Sequence, residues 1–162
     1  MRQQPAALPA TYDTGTTDMN QALSHGTRLR QLRLAALPSA VPWGRRVLRQ
    51  TLREWQLESM SDTALLLVSE LVTNAVKASG NGADGDHPPM EWQIIALTVR
   101  LTDTSLALEV WDANPAPPVP QGPDLTSDGG RGLVIVEALS DKWGHHVADC
   151  GKLVWCEIAF PS

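Results

Sequence analysis

The run SDTALLLVSELVTNAVKASG, residues 61–80, decides the fold class. Ala64, Leu67, Val68, Leu71, Val72, Ala75 and Val76 recur at helical spacing and build a wide apolar face. Ser61 suits the N-cap, Asp62 the first turn, and Gly80 the stop. Downstream, Ile95, Leu97, Val99 and Leu101 alternate with Ala96, Thr98, Arg100 and Thr102. After a Thr-Asp-Thr turn, Leu106, Leu108 and Val110 alternate with Ala107, Glu109 and Trp111. A period of two on both sides of a short polar turn predicts an antiparallel hairpin.

Working outward, a second helix is predicted upstream. Ser39 and Pro42 are suitable start residues, and Val47, Leu48, Thr51, Leu52 and Trp55 recur at helical spacing. Arg45, Arg46, Arg49 and Arg53 fall mostly off that stripe, as a basic outer face that is either solvated surface or a docking face for an acidic partner. Arg33–Leu37 reads as an edge strand, and residues 1–31 as a flexible tail. Ser79–Pro89 is a Gly-, Asp- and Pro-rich loop, and Pro115–Asp128 is a long loop with five prolines. Gly132–Leu139 resumes helical spacing. His145–Asp149 and Lys152–Phe160 form a closing hairpin with Gly151 in its turn. The order helix, helix, strand, strand, loop, helix, strand, strand predicts an α+β fold: a two-layer α/β sandwich whose mixed, mostly antiparallel sheet is covered on one face by helices. The folded domain spans residues 32–162.

A chain of 162 residues holds one domain with one sizeable core. At 43% hydrophobic and 19% charged, it is not disordered throughout. A net charge of −5 disfavours a general nucleic-acid binder and points to a protein partner or small ligand. No apolar run approaches the roughly 20 residues of a membrane span. The N-terminus has no signal-like apolar stretch, and two cysteines make no disulfide framework, so a cytoplasmic location is expected.

Several polar groups are not explained by packing. Glu70, Asn74 and Lys77 stand at i, i+4 and i+7, one stripe beside the apolar face of the 61–80 helix. A carboxylate and an amide oxygen one turn apart suit a hard cation such as Mg²⁺ shared with substrate phosphates, and the carboxylate can accept a proton from a nucleophile. The same spacing is also that of an ordinary solvated stripe. Asp112 continues the phase of Leu106, Leu108 and Val110, so it points to the apolar side at the end of its strand. There it either receives a donor such as a purine amino group or caps a turn. Asp128-Gly129-Gly130-Arg131-Gly132-Leu133 joins the long loop to a helix, where backbone N–H groups and Arg131 can meet an anion. A flexible hinge reads equally well there. His145, His146, Cys150 and Cys156 lack common zinc spacing and read as a surface histidine pair and buried thiols.

The ordered set Ser69-Glu70-Leu71-Val72-Thr73-Asn74-Ala75, Trp111-Asp112-Ala113-Asn114, Gly130-Arg131-Gly132-Leu133-x-Ile135-Val136, Lys142-Trp143-Gly144 and Gly151-Lys152-x-Val154-Trp155 resembles the GHKL ATPase superfamily. Within it, the chain is similar to the small anti-sigma-factor serine kinases, over roughly residues 33–160. The resemblance implies the histidine-kinase/gyrase-like fold, with ATP and Mg²⁺ as cofactors. It implies Glu70 as general base and Asn74 as the Mg²⁺ ligand. It puts Asp112 at the adenine amino group, Pro115–Gly129 as a lid, and Gly130, Arg131, Gly132 and Leu133 around the phosphates. Lys77 and Asn114 complete the nucleotide-binding set. Asn114 stands where larger relatives carry Gly. Leu153 stands where a Thr hydroxyl joining the adenine network is expected. The implied partners are a sigma factor and an anti-anti-sigma factor, with a serine of the latter as phosphoacceptor; a homodimer is implied in the same way. The alternative is a non-catalytic partner-switching module.

Overall fold

The computed structural model describes residues 27–80, 93–118, 131–148 and 150–160. Six of the seven residues of the opening run's apolar stripe are buried, and Val76 is half-buried. Residues Ser61–Gly80 form helix α2, with Ala64, Leu67, Val68, Leu71, Val72 and Ala75 buried. A 3₁₀ turn at Glu58–Met60 leads directly into it, so Ser61 already has helical backbone angles and is not the predicted free N-cap. The preceding helix α1 is Ala40–Glu54, and it buries Leu48, Thr51 and Leu52. Ser39 precedes it without a side-chain capping bond.

Five strands follow the period-two pattern: β1 Arg28–Ala35, β2 Ile94–Leu101, β3 Ser105–Asp112, β4 Lys142–Ala148 and β5 Gly151–Ala159. β1 lies earlier than the expected Arg33–Leu37 and takes in residues first assigned to the tail. Residues 1–26 lie outside the described residues. The sheet order is β1-β2-β3-β5-β4, and all four pairings are antiparallel, with no parallel pair among the described residues. Helix α3, Arg131–Leu139, connects β3 to β4, and β5 returns between them. This is a crossover split by an inserted strand.

All three helices pack on one face of the sheet, with α2 against β2, β3 and β5, and with α1 and α3 on either side of it. Facing them are Ile95, Leu97 and Val99 of β2, Leu106, Leu108 and Val110 of β3, and Val154 and Cys156 of β5. Each fully buried Leu or Ile contributes roughly 1.5–3 kcal/mol of transfer free energy. Among the described residues no helix covers the other face. A depression of about 220 Å³ on it is lined by Arg100, Ala107, Glu109, His146, Leu153, Trp155 and Glu157, none of them among the expected catalytic or nucleotide-binding residues. An Arg100–Glu109 ion pair crosses it, and the His146 ring stacks on Trp155.

The arginines of α1 divide. Arg45 turns inward and donates to Ser69 Oγ and to the Leu65 carbonyl, tying α1 to α2, so it leaves the expected basic face. Arg46, Arg49 and Arg53 remain exposed, and the Arg46 guanidinium lies 5.5 Å from the centre of the exposed Trp43 ring. Among the described residues no helix is long and apolar enough to cross a membrane.

The two cysteines differ in a way the sequence does not show. Cys156 is fully buried, and burial, with Glu157 adding to it, pushes its thiol up to about 12. Cys150 is exposed, contrary to the expectation of two buried thiols. Only thiolate attacks a disulfide reagent. Titration with a chromogenic disulfide at pH 8 is therefore expected to label Cys150 alone in the native chain, and Cys156 only after unfolding in guanidinium.

Candidate functional site

Alternation along β3 carries Asp112 to the helix-covered side, as its phase predicts, at 1% exposure. Its carboxylate is held from two directions. Oδ1 accepts from the Asn114 backbone N–H and from Lys152 Nζ, each at 2.9 Å. Lys152 is itself 5% exposed and also donates to the Asn114 carbonyl at 3.0 Å. Burial pushes the Asp112 carboxyl above its ordinary value, while the hydrogen bonds from Lys152 and from Asn114 pull against that rise. Oδ2 is buried and has no partner among the described residues.

Lys152 is the residue the sequence reading missed. It pairs across the ladder with Asp112, whereas Leu153 pairs with Trp111 and lies on the opposite face. Leu153 therefore does not stand at the Asp112 end of the site, and the expectation of a lost hydroxyl there is corrected. A signal was available: Lys152 shares the phase of Val154 and Cys156, so an acid and a base each interrupt the apolar phase of a strand. The turn before β5 makes the approach possible. Gly151 has φ +152°, and a Cβ there would lie 2.2 Å from the Asp112 carbonyl oxygen.

Asn114 is a clamp. Its side-chain amide donates to the Ala78 carbonyl in the last turn of α2, and its Oδ1 accepts from the Ala116 N–H, both at 2.9 Å. Both ends of that amide are thus committed within the protein, and the bond to Ala78 fastens the end of β3 to the end of α2.

The second half of the site lies where α3 meets α2. A Cβ on Gly132 would stand 2.7 Å from Glu70 Oε2, 3.1 Å from Asn74 Oδ1 and 3.2 Å from Asn74 Nδ2. The first turn of α3 therefore rests against these two side chains, with its positive end toward the Glu70 carboxylate. Asn74 Nδ2 is buried without a partner among the described residues. Glu70, Asn74 and Ala78 are successive turns of one stripe, so α2 spans about 12 Å from α3 to the Asn114 clamp. Lys77 is exposed beside this stripe. Leu133 is buried among the apolar residues of the core, and Arg131 opens α3. Gly130 and the expected lid beyond Pro118 lie outside the described residues. Among the described residues no three His, Cys, Asp or Glu side chains gather to hold a metal ion. The oxygens of Glu70 and Asn74 are nevertheless hard donors that fit Mg²⁺ if phosphates and water complete its shell.

The buried pair has a measurable consequence. Asp112→Ala strands the Lys152 ammonium and is expected to cost about 3–5 kcal/mol, whereas Asp112→Ala/Lys152→Met recovers most of that loss. Urea denaturation of the two variants and the parent checks both values.

No curated protein matches the chain. A solved structure of the RsbU and RsbW domains of Rv1364c from Mycobacterium tuberculosis is similar in fold, at TM-score 0.51 and 22% identity. The match covers 83% of this chain and 33% of that one, so this chain spans about a third of the length of the solved chain. The family described as Histidine kinase-like ATPase domain matches residues 34–157, which take in both halves of the site. The chain belongs to the histidine kinase-like ATPase domain family.

Proposed function

We propose that the chain is an ATP- and Mg²⁺-binding anti-sigma regulator that holds a sigma factor inactive and phosphorylates a serine of an anti-anti-sigma antagonist. The observation that carries this reading is the convergence of Glu70 and Asn74 on the backbone of Gly132, with Asp112 at the far end of the same α2 stripe. An orphaned buried acceptor at one end suits a base amino group. An acid and an amide against a helix N-terminus at the other end suit phosphates and the group that attacks them. The name of the similar Mycobacterium tuberculosis protein, with its RsbU and RsbW domains, lends support to the anti-sigma setting.

The residues divide the work as follows. Asp112 Oδ2 accepts from the base. Asn74, through Oδ1, would hold Mg²⁺, which would supply charge neutralisation at the phosphate oxygens. Glu70 accepts the proton of the attacking serine hydroxyl as the serine oxygen bonds to the γ-phosphorus and the bond to ADP breaks. Backbone N–H groups at the start of α3, with Arg131, stabilise the transferring group. Leu153 pairs with Trp111 on the opposite face, so it lends no support to the non-catalytic alternative.

The test is transfer of label from γ-labelled ATP to an anti-anti-sigma protein. The intact chain is expected to transfer it, and Glu70→Gln to reduce the rate by about 10²-fold or more. Gly132→Ala is expected to displace the flexible Glu70 side chain and lower transfer while leaving the melting temperature nearly unchanged, because the clash falls on a side-chain tip. No label on any antagonist together with unchanged behaviour of Glu70→Gln overturns the kinase reading. Arg46, Arg49 and Arg53 are the proposed docking face for an acidic partner surface. Arg49→Glu/Arg53→Glu is expected to slow association measured by surface plasmon resonance, most strongly at low salt.

A further inference from the structure

Asp112 and Lys152 are both almost wholly buried, and neither is saturated by the contacts between them. Oδ1 of Asp112 takes two donors, while Oδ2 takes none among the described residues. An ammonium carries three protons. Among the described residues, Lys152 Nζ has two acceptors, Asp112 Oδ1 and the Asn114 carbonyl. An unfilled acceptor and an unfilled donor therefore stand side by side at the end of the sheet. Leaving such groups unmatched in a buried site is costly, so a ligand that supplies both partners gains on two counts.

We infer that Lys152 is a specificity-determining residue, and that it makes the base site accept guanine-type as well as adenine-type nucleotides. This rests on the nucleotide-binding reading above. A carboxylate alone suits the adenine amino group and repels the O6 of guanine or hypoxanthine, because acceptor then faces acceptor. The Lys152–Asp112 pair is complementary to any edge that presents a donor beside an acceptor. Adenine does so with its amino group and N1. Guanine and hypoxanthine do so with N1–H and O6, where Lys152 donates to O6 and Asp112 Oδ2 accepts from N1–H. The geometry that brings the cation there is local and rigid: Gly151 lets β5 start against the Asp112 backbone, and the ladder pairs Lys152 with Asp112 directly.

Calorimetric titration of the full chain with ATP, GTP and ITP in Mg²⁺ buffer tests the inference. The parent chain is expected to bind all three within about tenfold of one another. Lys152→Met is expected to weaken GTP and ITP at least about tenfold more than ATP, and Lys152→Arg, which keeps the cation, to hold the parent ratio within about threefold. The ratio is independent of the folded fraction, so loss of stability does not imitate the effect. If Lys152→Met does not fold, the ratios of the parent and of Lys152→Arg still decide. A parent chain that binds ATP but rejects GTP and ITP by more than about 100-fold overturns the inference, as does a Lys152→Met variant that weakens all three equally. A parent chain that binds no nucleotide overturns the site reading itself and this inference with it, and that outcome is distinct from the other two.

Discussion

A carboxylate taken out of water at the end of a central strand has to be held by charge and hydrogen bonds, and much of the local architecture here does that holding. Asp112 is gripped by the Lys152 ammonium from the neighbouring strand and by the backbone N–H of Asn114 just beyond it. Asn114 is fixed in turn by the last turn of α2. The grip requires β5 to begin at Gly151 with a backbone conformation other residues rarely adopt, within contact of the Asp112 carbonyl. Removing any one member leaves a buried charge or dipole without its partner, so the group forms one interdependent network.

The middle of α2 is organised by an absence. Gly132 has no side chain, so the first turn of α3 can lie against Glu70 and Asn74. A methyl group there would fall on the Glu70 carboxylate. The same helix that supplies the core of the protein thus carries, along one stripe beside its buried face, the acid and the amide at one end and the anchor for the Asp112 turn at the other. Packing and chemistry are coupled because both are read from one helix: its apolar face sets its rotation against the sheet, and that rotation decides where the polar stripe points.

Side-chain periodicity made most of the architecture legible. The hairpin of β2 and β3, the helices and the inward aim of Asp112 follow from periods of 2 and 3.6, because burial of one face enforces them. Boundaries were less legible. β1 begins at Arg28 because its pairing with β2 extends further than its own apolar residues indicate. Ser61 is a suitable cap by residue type, but a 3₁₀ turn delivers the chain to it already coiled. Arg45 resembled its neighbours in sequence, yet its rotation about α1 brings it onto α2.

The chain alone determined that Glu70 and Asn74 share a stripe and that Asp112 is inward, since each is a matter of spacing within a single element. It left unresolved which residue faces which across elements. That Lys152 and not Leu153 meets Asp112 depends on the register between β3 and β5, and a slip of one residue would exchange them. That Gly132 receives Glu70 depends on how α3 crosses α2, which no local pattern encodes. Register and crossing are set by the whole core at once, and only the tertiary structure decided them.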